Sequence, residues 1–443
     1  MWFLTPNGFT KASFAVTLLV KDDTILMAAP FQTTVPMIEA GTIRRRIDLR
    51  KIAHAALVVL LLRVALGLLA LPVSALFPDN PLEEQVGLLP GAAPVGQWLQ
   101  RVLVMPWVRY DVRWYQQIAD HGYQPGAGTA AFHPLYPLLA KLIAPLVGGN
   151  TYLALLLLST FACTAFCVVF TRYVEDIHGE QFAQPSSWLL LLGPLGFILL
   201  IPYNEGLFLT LAVAALWATA RERWWIAGLF GALAALTRQQ GLALELPLAW
   251  ALFVALRERR ARVWDAGALL LVPCGYALFV IYRGIVLGDL AMLAQAHDPV
   301  DFLRGLLVSR SSEIVLGGQR IAWPWEPLID QVRLIFTTPD SYDLAIDLAL
   351  GWAGVLVIAF GWRRIPMHER LYSLAILVLT LCYYNGYRSP SLSLPRHVLL
   401  AFPLFIVLAR WAGRGRRLRL LVELLACINL FLAGAYVRHG WIP

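Results

Sequence analysis

Long apolar runs separated by short polar links dominate the chain. The runs fall near 52–76, 150–171, 188–201, 205–220, 224–237, 241–256, 264–286, 343–361, 371–386, 397–411 and 420–437. Several approach the ~20 residues that cross ~30 Å of hydrocarbon as a helix. A backbone in lipid must satisfy its own hydrogen bonds, so such runs are expected to be helices. The pattern predicts an all-α polytopic membrane protein with about eleven transmembrane helices.

The links sort by charge. "RRRIDLRK" (Arg44 to Lys51), "RERW" (Arg221 to Trp224), "RERRAR" (Arg257 to Arg262), "WRRIPMHER" (Trp362 to Arg370) and "RWAGRGRRLR" (Arg410 to Arg419) are basic. The bias of Lys and Arg toward the cytoplasm places all five inside, with the N-terminus inside and the C-terminus outside. One segment resists this scheme. "FHPLYPLLAKLIAPLVGG" (Phe132 to Gly149) is apolar but short, with three prolines and Lys141, and as a full span it would invert the later links. It is read as a re-entrant or juxtamembrane helix on the outer side, where irregular backbone is tolerated under protein cover.

This topology gathers the polar patches on the external face. A large first loop (77–150) holds "RYDVRWYQQIADHGY" (Arg109 to Tyr123), and "PYNEG", "TRQQG", the loop 288–342 and "YRSPSLSLPRH" emerge beside it. The first 36 residues fit the plan poorly. "SFAVTLLVKDDTILMAAPF" suggests a small hairpin, and Met37 before the basic run resembles a natural start. Residues 1–36 are taken as a leader outside the fold and 37–443 as one transmembrane domain.

Composition supports the class: of 443 residues 59% are hydrophobic and 14% charged, with a mean hydropathy of +0.64. Soluble domains carry about a quarter charged residues. The net charge of +8 does not indicate nucleic acid, because the arginines cluster in the links between spans. Cys163, Cys167, Cys274, Cys382 and Cys427 lie in apolar segments, and Cys163 and Cys167, one helical turn apart, read as small core residues. Arg63, midway along the first span, is costly in lipid and is expected to face the protein interior. No His-Glu-x-x-His, Asp-x-Asp or close His/Cys cluster points to a metal, and no other cofactor is implied. No glycine-rich phosphate-binding loop appears either.

The segment "RYDVRWYQQIADHGY...AFHPLYPLL" resembles the signature that follows the first span in the GPI mannosyltransferase II (PIG-V) family and its bacterial relatives. "YNEGLF", "LTRQQG", "QRIAWPWE" and "LPRHVLLAFPLF" continue the likeness in order over most of residues 50–412. The resemblance implies the GT-C glycosyltransferase fold. It also implies inverting transfer of a sugar, mannose first, from a polyprenyl (dolichyl-type) monophosphate to a glycolipid, glycan or protein acceptor. The setting implied is the outer face of a bacterial inner membrane or the lumenal face of the endoplasmic reticulum, with membrane lipid as a partner and no nucleic acid. Tyr110, His133 and Asn204 depart from the family pattern, which has Trp, Phe and Ser.

By motif matching, Asp111 aligns with the acid of the family's first lumenal loop and is the candidate catalytic base. A carboxylate can take the acceptor's hydroxyl proton. The alternative is a structural ion pair with Arg109 or Arg113. Asp120, beside His121 and Gly122, fits a helix-end role. Arg396 and His397, then Arg320 and Arg238, are candidates for the donor phosphate, since guanidinium binds phosphate oxygens bidentately. The competing reading for each arginine is a snorkelling interfacial side chain, and His397 would equally cap a helix. His133, Tyr136, Tyr203, Glu205 and Gln239 are candidates for sugar or acceptor hydroxyls, and Trp325 for stacking on a sugar. Interfacial Trp and Tyr are common in any membrane protein. A rival function is a non-catalytic transporter or flippase of a lipid-linked sugar; against it, no inverted repeat is detectable. A lipid-phosphate phosphatase or ligase of similar topology is a second enzymatic rival.

Overall fold

A computed structural model describes residues 49–76, 98, 104–125, 127–288, 319–339 and 341–438. The proposed leader, its hairpin, and much of both large loops lie outside the described residues.

The described chain is nearly all helical. The first helix, α1 (Leu49–Leu76), has 28 residues and is strongly apolar. At 1.5 Å per residue it is ~42 Å long, ample for a bilayer core. Most of its surface is unburied, and Leu57, Leu60, Leu61, Val64 and Leu68 stand exposed. Those leucines have lipid as their natural solvent.

Two short helices follow, α2 (Asp111–His121) and α3 (Leu135–Ile143). The nine residues of α3, extended by the 3-10 turn Ala144–Val147, rise too little to cross a bilayer. The resistant segment is therefore a short helix, packed on α2 and on the next long helix, α4 (Thr151–His178). Asn150 caps α4 by accepting the Leu153 N–H at 2.9 Å. More than half of α4 is buried, which makes it the central post of the bundle.

The remaining helices are α5 (Glu180–Leu191), α6 (Glu205–Ala220), α7 (Trp224–Thr237), α8 (Glu245–Arg257), α9 (Leu271–Leu287), α10 (Trp325–Thr337), α11 (Tyr342–Gly361), α12 (Met367–Leu381), α13 (Leu394–Leu399), α14 (Pro403–Ala412) and α15 (Arg416–Val437). Among the described residues six continuous helical segments are long and apolar enough to cross a membrane, and α6, α7 and α14 are shorter apolar helices. The protein is an integral, multi-pass membrane protein.

The expected runs overlap these helices, but those at 241–256 and 264–286 begin as 3-10 turns (Gln239–Leu244 and Val263–Leu270), and that at 371–386 leaves its helix at Leu381. The run at 188–201 is helical upstream, as α5, and continues as a 3-10 turn at Gly196–Leu199. The run at 397–411 is two helices, α13 and α14, broken before Pro403. A minor departure from the all-α expectation is a two-residue antiparallel ladder, β1 (Arg320–Ile321) on β2 (Tyr383–Tyr384), with Arg320 opposite Tyr384.

The largest core cluster lies where α4, α5, α6, α13 and α14 meet, and a smaller one packs α7, α8 and the turn before α9. α11 lies against α13 and α14 through Gly351, Gly354 and Gly361, where a Cβ would collide with Leu394, Val398 and Val407. Small residues let helices approach closely where dispersion rather than hydrophobicity drives association. Arg63 turns inward, as expected, and donates to Ser159 Oγ at 3.1 Å. Cys163 and Cys167 are buried core residues.

Candidate functional site

The start of α2, the start of α6, the end of α7, the end of α12 and the start of α13 meet at one end of the bundle. A cavity of about 200 Å³ opens between them. Its wall includes Asp111, His133, Arg238, Gln239, Arg396 and His397 from the predicted set. Residues from the separate polar patches of the sequence line this one cavity.

Local sequence explains how each side chain arrives. In α2, Val112, Tyr115, Ile118 and Ala119 are buried, a helical spacing that leaves Asp111 at the first turn. Tyr110, just before it, holds φ 47° and ψ −116°, so the chain turns sharply into the helix. Ser393, just before α13, is also left-handed at φ 60°. Both helices that deliver charge to the cavity thus begin at a costly non-glycine conformation, as functional sites often do. Gly241, in the turn after α7, lies so close to the Ala235 backbone that no side chain fits. That contact brings Arg238 and Gln239 round into the wall.

The charges form a chain. Arg396 donates from Nη1 to Asp111 Oδ2 at 2.6 Å, and from Nε to Glu205 Oε1. Arg238 Nη1 donates to the same Glu205 oxygen and to Asn204 Oδ1 at 2.7 Å. Asn204 in turn donates to the Thr237 carbonyl at 2.9 Å. Tyr203 lies under the Arg396 guanidinium, 4.3 Å from its carbon to the ring centre. The Glu205 side chain is fully buried, Arg396 is 5% exposed and Asp111 is 25% exposed. Glu205 therefore anchors two arginines from below, while Asp111 is the carboxylate that reaches the cavity.

Asp111 is bound by a cation 285 residues away in the chain, Arg396. Arg109 is buried and donates to the Met105 and Val108 carbonyls. Asp120 accepts from Thr151 Oγ1 at 2.5 Å and ties α2 to α4, matching its helix-end reading.

His133 donates from Nδ1 to the Ala235 carbonyl at 2.6 Å, which leaves Nε2 as an acceptor. Burial drives its pKa down to about 3, so the ring is neutral.

Other predicted residues stand outside the cavity wall. Tyr136 is fully buried, donates to the Leu155 carbonyl at 3.1 Å and packs edge-on to Tyr115. Arg320 pairs with Glu326 at 2.6 Å and lies over the Tyr384 ring. Trp325 is exposed and stacked on Trp323, with ring centres 5.1 Å apart. Their side chains are engaged elsewhere, and Glu205 and Tyr203 sit behind the wall rather than in it. Sequence reasoning passed over Asn204 as a contact, together with Gln319, Thr380, Asn385 and Ser393, which also line the cavity. Gln319 and Ser393 belonged to quoted motifs, and that was their available signal. Among the described residues no group of three or more His, Cys, Asp or Glu side chains is placed to hold a metal.

No family model matches the chain. Over 144 residues it is 32% identical to GPI alpha-1,6-mannosyltransferase 2 of Rattus norvegicus, and 31% identical to the protein of that name from Mus musculus. The chain is similar to the GPI mannosyltransferase II (PIG-V) family. The matched stretch is 30% of this chain and spans only 29% of the length of either relative. ArnT from Cupriavidus metallidurans bound to undecaprenyl phosphate superposes with a TM-score of 0.46 at 13% identity, over 83% of this chain and 63% of that one. The apo form of that protein gives a TM-score of 0.38.

Two departures from the PIG-V pattern now have a setting. Asn204, in place of Ser, reaches both Arg238 and the Thr237 carbonyl. His133, in place of Phe, keeps aromatic contact with Phe279 (4.4 Å between ring centres) and adds a hydrogen bond to Ala235.

Proposed function

We propose that the protein is a GT-C-type inverting glycosyltransferase, acting with mannose, that uses a polyprenyl-monophosphate sugar as donor. Transfer takes place in the Asp111 cavity, on the external or lumenal side of the membrane. The observation that carries this reading is the position of Asp111. It is a partly exposed carboxylate on the cavity wall, held by an arginine that a second, buried carboxylate fixes from behind. The 32% identity to a protein named as a mannosyltransferase supports the choice of sugar.

The chemistry follows from charge. Two arginines, Arg238 and Arg396, are matched by two carboxylates, Glu205 and Asp111, so the resting network is balanced. An incoming phosphate oxygen competes with Asp111 for Arg396, and charge-assisted hydrogen bonds to guanidinium suit it. Asp111 then takes the proton of the acceptor hydroxyl. The acceptor oxygen bonds to the anomeric carbon on the face opposite the phosphate, the carbon–phosphate oxygen bond breaks, and the polyprenyl monophosphate leaves with the electron pair. Arginine receives the growing charge in a site of restricted solvent, where fixed donors act strongly. Gln239 and neutral His133 line the same wall and offer hydrogen bonds to hydroxyls.

The test is turnover. Purified protein in lipid nanodiscs, given polyprenyl-phosphate mannose and a membrane extract, is expected to yield a mannosylated product and free polyprenyl phosphate. Donor that stays intact, or that crosses a liposome membrane without cleavage, would overturn the enzyme in favour of a transporter.

A further inference from the structure

A second cavity, of about 230 Å³, lies far from the Asp111 site, among α1, α4 and α5. Thr151, at the start of α4, touches Asp120 of α2, whereas the cavity is lined near the other end of α4. A helix of 28 residues spans ~42 Å, so the two cavities open toward opposite ends of the bundle.

Its lining is graded in the same direction on all three helices. On α1 it runs from Arg50 and Lys51 to Val58, and on α4 from Glu175 and Arg172 to Cys167. On α5 it runs from Gln184 to Leu191. The rim thus carries three permanent cations and one carboxylate, and the depth is apolar. Lys51 and Arg172 are both organised by Glu175, at 2.7 and 3.5 Å. The first turn of α1 adds its own positive end at the rim.

We propose that this cavity binds one anionic phospholipid from the leaflet opposite the Asp111 site. The phosphate sits at the Lys51–Arg172 rim and an acyl chain runs inward past Ala55 and Val58. Charge complementarity selects the head group, because basic pockets between membrane helices suit anionic lipid heads. The apolar depth selects a lipid over a soluble anion, since a free phosphate has nothing to place there. The binding is independent of the transferase reading and stands or falls without it.

The test uses the delipidated full chain in detergent, titrated with phosphatidylglycerol, with phosphatidylcholine of the same chains, and with inorganic phosphate, and read by native mass spectrometry. Phosphatidylglycerol is expected to bind at least about 10-fold more tightly than phosphatidylcholine, whose choline cation offsets the phosphate charge that the basic rim attracts, and to resist an excess of inorganic phosphate. Lys51→Gln/Arg172→Gln is expected to weaken phosphatidylglycerol by about 10-fold or more. Ala55→Phe, which fills the apolar depth and leaves every charge in place, is expected to abolish it. Thermal unfolding checks each variant; if the double variant fails to fold, Ala55→Phe decides. Equal affinity for the two lipids, displacement by inorganic phosphate at equal concentration, or unchanged binding in Ala55→Phe would each overturn the proposal.

Discussion

Arg396 joins Asp111 to Glu205. One guanidinium donates from Nη1 to the partly exposed carboxylate and from Nε to the buried one, linking α2, α6 and α13 through a single side chain. The two carboxylates sit in different surroundings, and that difference separates their roles. Glu205 has no solvent to fall back on, while Asp111 has an open cavity beside it.

Stability is therefore expected to respond to Glu205 far more than to Asp111. Glu205→Gln leaves Arg396 and Arg238 without their shared buried counter-charge. Breaking a buried pair by removing one partner costs about 3–5 kcal/mol. Thermal unfolding in detergent should show a large loss for Glu205→Gln and a small one for Asp111→Asn. Equal losses would remove Glu205 as the anchor of the network.

Donor binding should depend on Arg396. A charge-assisted hydrogen bond contributes about 1.5–3 kcal/mol, so Arg396→Ala should weaken donor affinity by about 10-fold or more. Because the same change frees Asp111 and Glu205, folding must be checked beside it. An unchanged donor affinity in a folded Arg396→Ala protein would count against a role at the phosphate.

His133 predicts a pH dependence whose sign is fixed by burial. Its folded pKa lies near 3, against 6.5 for the free side chain. The unfolded chain therefore takes up a proton below about pH 6.5 that the folded chain refuses until about pH 3. Stability should fall as pH drops through that window, and His133→Phe should flatten the fall while losing the hydrogen bond to Ala235. Identical pH profiles for the two proteins would mean that His133 is not held neutral.

Much of this was legible in the sequence, because lipid imposes strong rules. Apolar runs near 20 residues marked the helices, and the prolines in "FHPLYPLLAKLIAPLVGG" flagged the short one. The polar motifs marked the wall: Asp111, Arg238 and Arg396 all came from quoted stretches. Partnership was not legible. The Asp111–Arg396 contact bridges 285 residues and has no local pattern, so Arg109 and Arg113 looked like the natural partners. The onset of α5 was hidden for a different reason: "EQFAQPSSW" is polar enough to read as a link. Its Ser187 instead meets Thr171 of α4 at 3.1 Å, satisfying the hydroxyl inside the bundle. Tyr136 and Trp325 lie outside the cavity wall, since a tyrosine or tryptophan beside a motif serves packing as readily as a sugar.

Transfer is expected to proceed without a divalent metal. A polyprenyl phosphate needs only cations to receive its charge as it leaves, and Arg238 and Arg396 line the cavity. Activity should survive EDTA. Complete loss on chelation, restored by Mg²⁺ or Mn²⁺, would reassign that role to a metal.

The sharpest prediction concerns Asp111 itself. Asp111→Asn keeps the side chain's shape and can still accept from Arg396 through its amide oxygen, so folding and donor binding should persist. What the change removes is basicity. A positioned general base contributes about 10²–10⁴-fold to rate, so transfer should fall by that factor at saturating donor, with little change in donor affinity. Two other results are informative in opposite ways. Near-normal transfer would put the base elsewhere in the cavity, since Glu205 is sealed behind Arg396 and Arg238. An unfolded Asp111→Asn protein would show that the pair with Arg396 is a structural tie, because an amide oxygen in the same place failed to replace a carboxylate that only needed to hold α13 against α2.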